Sequence, residues 1–159
     1  MNERIALFPG SFDPITKGHE SIVLRALPLF DKIIVAIGEN MAKDAYYPLD
    51  KRLEWVKKTF KCYENKIEIT SFSILTIDFC KQKGAKYVLR GLRNQIDFQY
   101  ESNIARINQE LSPDIESIFL LTTPEDAVIS SSFVKEIINF GGDVRKFLPQ
   151  SIAEEIHKL

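Results

Sequence analysis

Ser11 and His19 are the first residues in the chain whose types and spacing could do chemistry. They set a hydroxyl and an imidazole eight positions apart in the stretch Phe8-Pro9-Gly10-Ser11-Phe12-Asp13-Pro14-Ile15-Thr16-Lys17-Gly18-His19. An apolar run, Ile5-Ala6-Leu7-Phe8, leads into this stretch, and a helix-period pattern, Ile22, Val23, Ala26, Leu27 and Phe30, leads out of it. The stretch is therefore a strand-to-helix connection with His19 at the helix start. Unpaired N–H groups and the positive end of the helix dipole at such a start favour an anion, above all a phosphate. The same dipole disfavours a cation, so an imidazole there reads as a hydrogen-bond donor to a bound oxyanion. Pro9 and Pro14 fix φ in places while Gly10 and Gly18 free it, letting the backbone approach a ligand closely.

Further donors of the phosphate-binding type follow along the chain: Lys43, Arg90, Arg93 and the triplet Ser130-Ser131-Ser132. Guanidinium groups suit bidentate contacts to phosphate oxygens, and lysine supplies a mobile point charge. Serines at a helix start add hydroxyls to backbone N–H groups. The chain has neither a Gly-x-x-x-x-Gly-Lys-Ser/Thr loop nor a Gly-x-Gly-x-x-Gly fingerprint. Its only other histidine, His157, falls in the terminal helical pattern, so a Ser or Cys nucleophile with a histidine base is hard to assemble. Transfer by positioning and charge stabilisation remains, as when a phosphate attacks a nucleotide α-phosphorus and pyrophosphate leaves. A phosphate monoester is already largely dianionic at neutral pH and needs no general base. Orientation, and donors aimed at the charge that develops, then carry the rate. Magnesium is the expected cofactor, bridging phosphates with little protein ligation, and no protein metal site is expected.

These groups need a scaffold that gathers them. Five apolar or β-branched runs, around Ile5–Phe8, Lys32–Ile37, Ile67–Thr70, Tyr87–Leu89 and Ile118–Leu121, alternate with helix-period segments. Helices are expected from the end of the first loop, from Leu49 to about Cys62, after Ser73, from Ile96 to Leu111, after Ser130 and from about Pro149 to His157. Ile96, Tyr100, Ile104, Ile107 and Leu111 mark the clearest amphipathic stripe, and exposed apolar positions on this helix could form an interface between copies. The alternation implies an α/β fold: a single-domain, doubly wound, parallel five-stranded sheet, Rossmann-like, with helices on both faces and a C-terminal helix, spanning residues 1–159. Ligands of such folds bind outside the carboxyl ends of the strands, at the switch point in strand order. The loops carrying Ser11 and His19, Lys43, Arg90 to Arg93, and the serines should meet there.

Composition sets the outer bounds. The 159 residues are 45% hydrophobic, with a net charge of -1, which gives no nucleic-acid footprint. No apolar run approaches the roughly 20 residues of a membrane span, so no membrane partner is expected and a cytoplasmic location is the default. Cys62 and Cys80 lack metal-ligand spacing and are expected to be buried, reduced thiols.

Ser11 and His19 together resemble the Thr/His-x-Gly-His element of the nucleotidyltransferase superfamily. Pro-Gly-Ser-Phe-Asp-Pro-Ile-Thr-x-Gly-His at 9–19, Arg-Gly-Leu-Arg at 90–93 with Asp97-Phe98-x-Tyr100-Glu101 behind it, and Ile-Ser-Ser-Ser-x-Val-Lys-Glu at 129–136 are similar to the bacterial phosphopantetheine adenylyltransferase family. The resemblance covers nearly the whole chain. It implies transfer of the adenylyl group of ATP to 4′-phosphopantetheine, giving dephospho-coenzyme A and pyrophosphate by direct in-line attack with no covalent intermediate. In that family's terms His19 stabilises the transition state, and Lys43 and Arg93 are catalytic. Ser11, Phe12, His19, Gly91, Leu92, Arg93, Glu101 and the segment Asp126, Ala127, Val128, Ile129, Ser130, Ser131 and Ser132 contact ATP. Ser11, Lys43, Thr76 and Arg90 contact phosphopantetheine. A homohexamer and feedback inhibition by coenzyme A are also implied. The chain departs from the family pattern at Pro124-Glu125-Asp126-Ala127-Val128, where an aromatic-rich approach is usual, and at Asp44, where a second lysine is common. Two alternatives stay open: a cytidylyltransferase for another phosphorylated alcohol, and a non-catalytic nucleotide or coenzyme A sensor.

Overall fold

The β-branched and apolar runs form five parallel strands in a computed structural model that describes residues 3–39 and 44–158. They are β1 (Ile5–Gly10), β2 (Lys32–Gly38), β3 (Ile67–Phe72), β4 (Tyr87–Leu92) and β5 (Glu116–Leu121), arranged β3-β2-β1-β4-β5. The helices between and after them are α1 (Lys17–Ala26), α2 (Leu49–Thr59), α3 (Thr76–Lys83), α4 (Gln95–Leu111), α5 (Ser131–Asn139) and α6 (Gln150–His157). The chain winds outward from β1 to β3, then returns to the far side of β1 for β4 and β5. The switch in strand order therefore lies between β1 and β4.

Burial on both faces explains why the central strands read as unbroken apolar runs. One face carries α1, α2, α5 and α6, with Ile22, Trp55, Val134 and Ile152 in a core that also takes Phe8 and Leu89. The other carries α3, whose Phe79 ring stacks on Phe72 at 4.8 Å above Leu7, Ile34 and Val88. α6 is tied to α2 through Glu155, which accepts from Trp55 Nε1 at 3.1 Å and pairs with Lys51 and Lys58. No helix of the described residues is long and apolar enough to cross a membrane.

Several boundaries differ from the sequence expectation. β4 runs on through Leu92, so Arg90 and Gly91 belong to the strand end rather than to a loop after it. α2 stops at Thr59 and a 3-10 turn follows at Lys61–Tyr63, which leaves Cys62 exposed. The expectation of two buried thiols thus holds only for Cys80, whose thiol burial pushes up to about 12. α4 does carry the exposed apolar positions that the sequence offered as an interface. Its apolar stripe faces outward, with Ile96 78% and Tyr100 65% exposed, and its one buried residue is the carboxylate Glu101.

α3 ends on Gly84 in the left-handed region, at φ 65°, and its N–H bonds back to the carbonyls of Cys80 and Lys81. No atom lies within 4 Å of where a Cβ would stand, so Gly84→Ala meets only the conformational cost. That cost is about 1 kcal/mol. A thermal melt should show Tm lower by roughly 2–4 °C for a chain of this size.

Candidate nucleotide-transfer site

A cavity of about 330 Å³ opens at the carboxyl ends of β1 and β4, at the switch point. Its floor is the end of β1, Phe8 to Gly10, and Gly91 of β4. Two helix starts converge on it: α1, through Gly18 and His19, and α5, through Ser130 to Ser132. Ser130 caps α5, its hydroxyl accepting from Phe133 N–H at 3.2 Å. Both helices present the positive ends of their dipoles to the same space, a favourable arrangement for an extended anion.

His19 is held from two sides. The Thr16 N–H donates to its Nδ1 at 3.1 Å, and the Thr16 hydroxyl lies 3.0 Å from the same nitrogen. A backbone N–H can only donate, so Nδ1 is the acceptor and the neutral ring carries its proton on Nε2. Phe12 packs edge-on against the imidazole at 5.1 Å, with Phe8 behind it. Phe12 reaches that place with φ 44°, and its ring fills the space where a Cβ on Gly10 would stand, with Cζ at 2.9 Å, so Gly10 has to be glycine. Burial, then the nearby Arg93 and Arg90 charges, lowers the His19 pKa to about 4. At neutral pH the site holds an uncharged imidazole with an N–H to donate.

Arg90 and Arg93 are both engaged by carboxylates from α4. Arg90 Nε donates to Glu101 Oε2 at 2.8 Å and Nη2 to Oε1, while Nη1 donates to the Pro9 carbonyl at 2.6 Å. Arg93 donates from its backbone N–H and Nε to Asp97 Oδ2 at 3.1 and 2.9 Å, and from Nη2 to Oδ1 at 3.2 Å. A second cavity of about 130 Å³ lies alongside, reaching Thr76 at the start of α3 and Ala105 and Asn108 of α4. Pro9, Arg90 and Glu101 line both cavities and form the partition between them.

The structure gathers most of the residues singled out in the sequence and separates a few. Ser11, His19, Arg90, Gly91, Arg93, Glu101 and Ile129 to Ser132 line the first cavity, and Thr76 lines the second. Phe12 and Leu92 are buried and do not line it; Phe12 acts by buttressing His19. Asp126 abuts Gly18 and accepts from the Thr123 hydroxyl at 3.0 Å, and Val128 is exposed; neither they nor Ala127 reach the lining. Lys43 lies outside the described residues. Among the polar side chains of the lining, Thr16 and Asp97 had been given no site role. Thr16 was signalled by its place three residues before His19, the spacing of a helix cap and its reciprocal partner.

The sequence matches the cytidylyltransferase-like family model over residues 7–137. A phosphopantetheine adenylyltransferase from Cytophaga hutchinsonii is 48% identical over 94% of this chain and 99% of its own. One from Clostridium perfringens is 39% identical over 98% and 94%. The chain belongs to the phosphopantetheine adenylyltransferases. It is accordingly an enzyme of the nucleotidyltransferase class. A crystal structure from Vibrio parahaemolyticus assigned as a nicotinate-nucleotide adenylyltransferase superposes with a TM-score of 0.69 over 98% of this chain and 99% of that one. At 16% identity that likeness speaks for the fold alone.

Proposed function

We propose that the protein transfers the adenylyl group of ATP to 4′-phosphopantetheine in the cytoplasm, releasing pyrophosphate and dephospho-coenzyme A. The observation that carries this reading is the meeting of two cavities at Arg90. The larger has two helix N-termini and the His19 donor for a triphosphate, and the smaller and more apolar one extends toward Thr76 for the pantetheine arm. The attacking phosphate sits at the partition, where, among the described residues, Arg90 spends three of its five N–H donors on Glu101 and Pro9. Its oxygen attacks the α-phosphorus from the side opposite the leaving pyrophosphate, so no protein nucleophile is needed. His19 Nε2–H donates to the oxygens of the transferred phosphoryl group as their charge rises, and Arg93 and the α5 start take the β- and γ-phosphates.

Lys43 belongs to this reading as a further phosphate donor. Both carboxylates lining the larger cavity, Asp97 and Glu101, are already spent on guanidinium groups. Magnesium therefore fits as an ion held by nucleotide oxygens and water, with the protein supplying no ligand of its own. The outward apolar stripe of α4 supports self-association, and the hexamer and coenzyme A inhibition implied by the resemblance are parts of the same proposal. The test is pyrophosphate release with magnesium and 4′-phosphopantetheine, comparing ATP with CTP. Turnover with ATP at least about 100-fold above CTP is expected, a difference of the size a site achieves when its buried polar groups match only one base. Equal or greater turnover with CTP moves the protein to the cytidylyl branch. Tight ATP binding without pyrophosphate release makes it a sensor.

A further inference from the structure

Asp13 is 2% exposed and lines neither cavity, yet its carboxylate joins three elements around the larger one. Oδ2 accepts from Tyr46 N–H at 2.8 Å and Oδ1 from Tyr47 N–H at 2.9 Å. Lys135 of α5 donates to Oδ2 at 3.3 Å. The ties continue through buried Arg52, whose Nε donates to the Tyr47 carbonyl at 3.0 Å and whose Nη1 donates to the Ser11 carbonyl at 2.7 Å. Ser131 at the start of α5 adds a bond from its hydroxyl to the Pro14 carbonyl at 2.8 Å. The Ser11 to Thr16 loop is thus held by α2, α5 and the Tyr46-Tyr47 backbone and makes few bonds to itself. A buried carboxylate with two backbone donors and a lysine is well satisfied, and because it lines neither cavity it is not placed to meet a ligand.

We infer that Asp13 is a positioning residue of the transfer reaction: through Lys135 and the Tyr46-Tyr47 backbone it fixes the His19 loop and the α5 start at the spacing the triphosphate requires. The inference rests on the adenylyl-transfer reading for its kinetics but on geometry for its mechanism. Neither Asp13 nor Lys135 touches the space where substrate would lie, so their effect runs through the placement of His19, Ser11 and the α5 serines. Displacement of such donors by about 1 Å can cost on the order of 100-fold in rate.

The experiment uses Asp13→Asn, Lys135→Met and Lys135→Arg in the full chain, with kcat and KM for ATP, Tm, and the NMR titration of the His19 ring. His157 is the only other histidine, and His157→Gln assigns the two resonances. Asp13→Asn keeps the side-chain shape but turns one acceptor into a donor facing a donor. It is expected to lower kcat about 10-fold to 50-fold. Lys135→Met should lower kcat about 5-fold and Lys135→Arg should restore most of it, with KM for ATP within about 3-fold throughout. In the two impaired variants the His19 titration should move from about 4 toward its ordinary 6.5 as the ring loses its fixed burial. A lower Tm with wild-type kcat and an unmoved His19 titration overturns the inference, leaving Asp13 a stabilising group only. Should Asp13→Asn fail to fold, the Lys135 pair alone decides it. Wild-type protein that releases no pyrophosphate overturns the transfer reading, and the NMR titration still decides the positioning role.

Discussion

His19→Ala is expected to lower kcat for adenylyl transfer by about 100-fold to 1000-fold, with KM for ATP changing far less. The split follows from where the proton sits. Thr16 N–H occupies Nδ1, so Nε2–H is the group offered to the cavity, and it gains most when charge builds on the transferred phosphoryl oxygens. In the proposed reading ground-state ATP has other donors to bind it, since Arg93, the α5 serines and two helix starts line the same cavity. The pH dependence follows with a definite sign. Burial and two neighbouring guanidinium groups depress the imidazole to about 4, so the free enzyme keeps a neutral ring throughout pH 5 to 8, and this group gives kcat/KM no acid limb in that range. Stability responds instead. Between the ordinary 6.5 and about 4 the unfolded chain binds a proton that the folded chain refuses, so the folded state loses stability as pH falls through that window. His19→Gln should remove this part of the dependence, measurable as a smaller drop in Tm between pH 7 and 5. A mutant with wild-type kcat would mean that the backbone donors carry the transition state without the imidazole.

What could be read in advance divides along a physical line. Period and composition report burial averaged over a segment, and they located all five strands, the switch-point edge and the two helix starts that meet there. They could not report which partner a charged side chain finds. Arg90 and Arg93 were legible as phosphate donors, and the structure adds the partners: they line the cavity and are also paired with Glu101 and Asp97. α4 was legible as an amphipathic helix with exposed apolar positions, and the structure shows why they are exposed. Its stripe has the period of a packed helix, but the sheet needs only the short edge near Ile104 and Glu101, leaving Ile96, Tyr100, Ile107 and Leu111 outside. Phe12 stands in the most informative stretch, yet its role as a wedge under His19 depends on a positive φ that no periodicity encodes. Asp13 was invisible because its partners, Tyr46, Tyr47 and Lys135, lie 33, 34 and 122 residues away.

The two arginines differ in how far they are committed, and that difference shapes what each can do. Arg93, just before α4, pairs with Asp97 in its first turn, with side chains 36% and 22% exposed, so exchanging Asp97 for a phosphate costs little. Arg90 is bound in three directions, to both oxygens of a nearly buried carboxylate and to the Pro9 carbonyl. It is a fixed post at the partition between the cavities, while Arg93 is free to follow the nucleotide.

Arg90→Ala should therefore damage stability and activity together, and a second substitution should separate them. The single change strands Glu101 as a buried carboxylate without its cation, at an expected cost of about 3–5 kcal/mol. It also removes the group proposed to orient the attacking phosphate, so kcat/KM for 4′-phosphopantetheine should fall by about 100-fold or more while KM for ATP changes little. Adding Glu101→Leu replaces the stranded charge with an apolar side chain that can pack beside Ile104 and Phe119 in the second cavity. Replacing both partners of a buried pair in this way is often close to neutral, so denaturant unfolding of the double variant should recover most of the lost stability. Activity should not return, because no guanidinium stands at the partition. Glu101→Leu alone is the informative intermediate: Arg90 keeps its bond to Pro9 but loses the carboxylate that aims it, so the expected signature is a raised KM for 4′-phosphopantetheine. Recovery of turnover in the double variant would remove Arg90 from the reaction and leave the pair as a structural brace between β4 and α4.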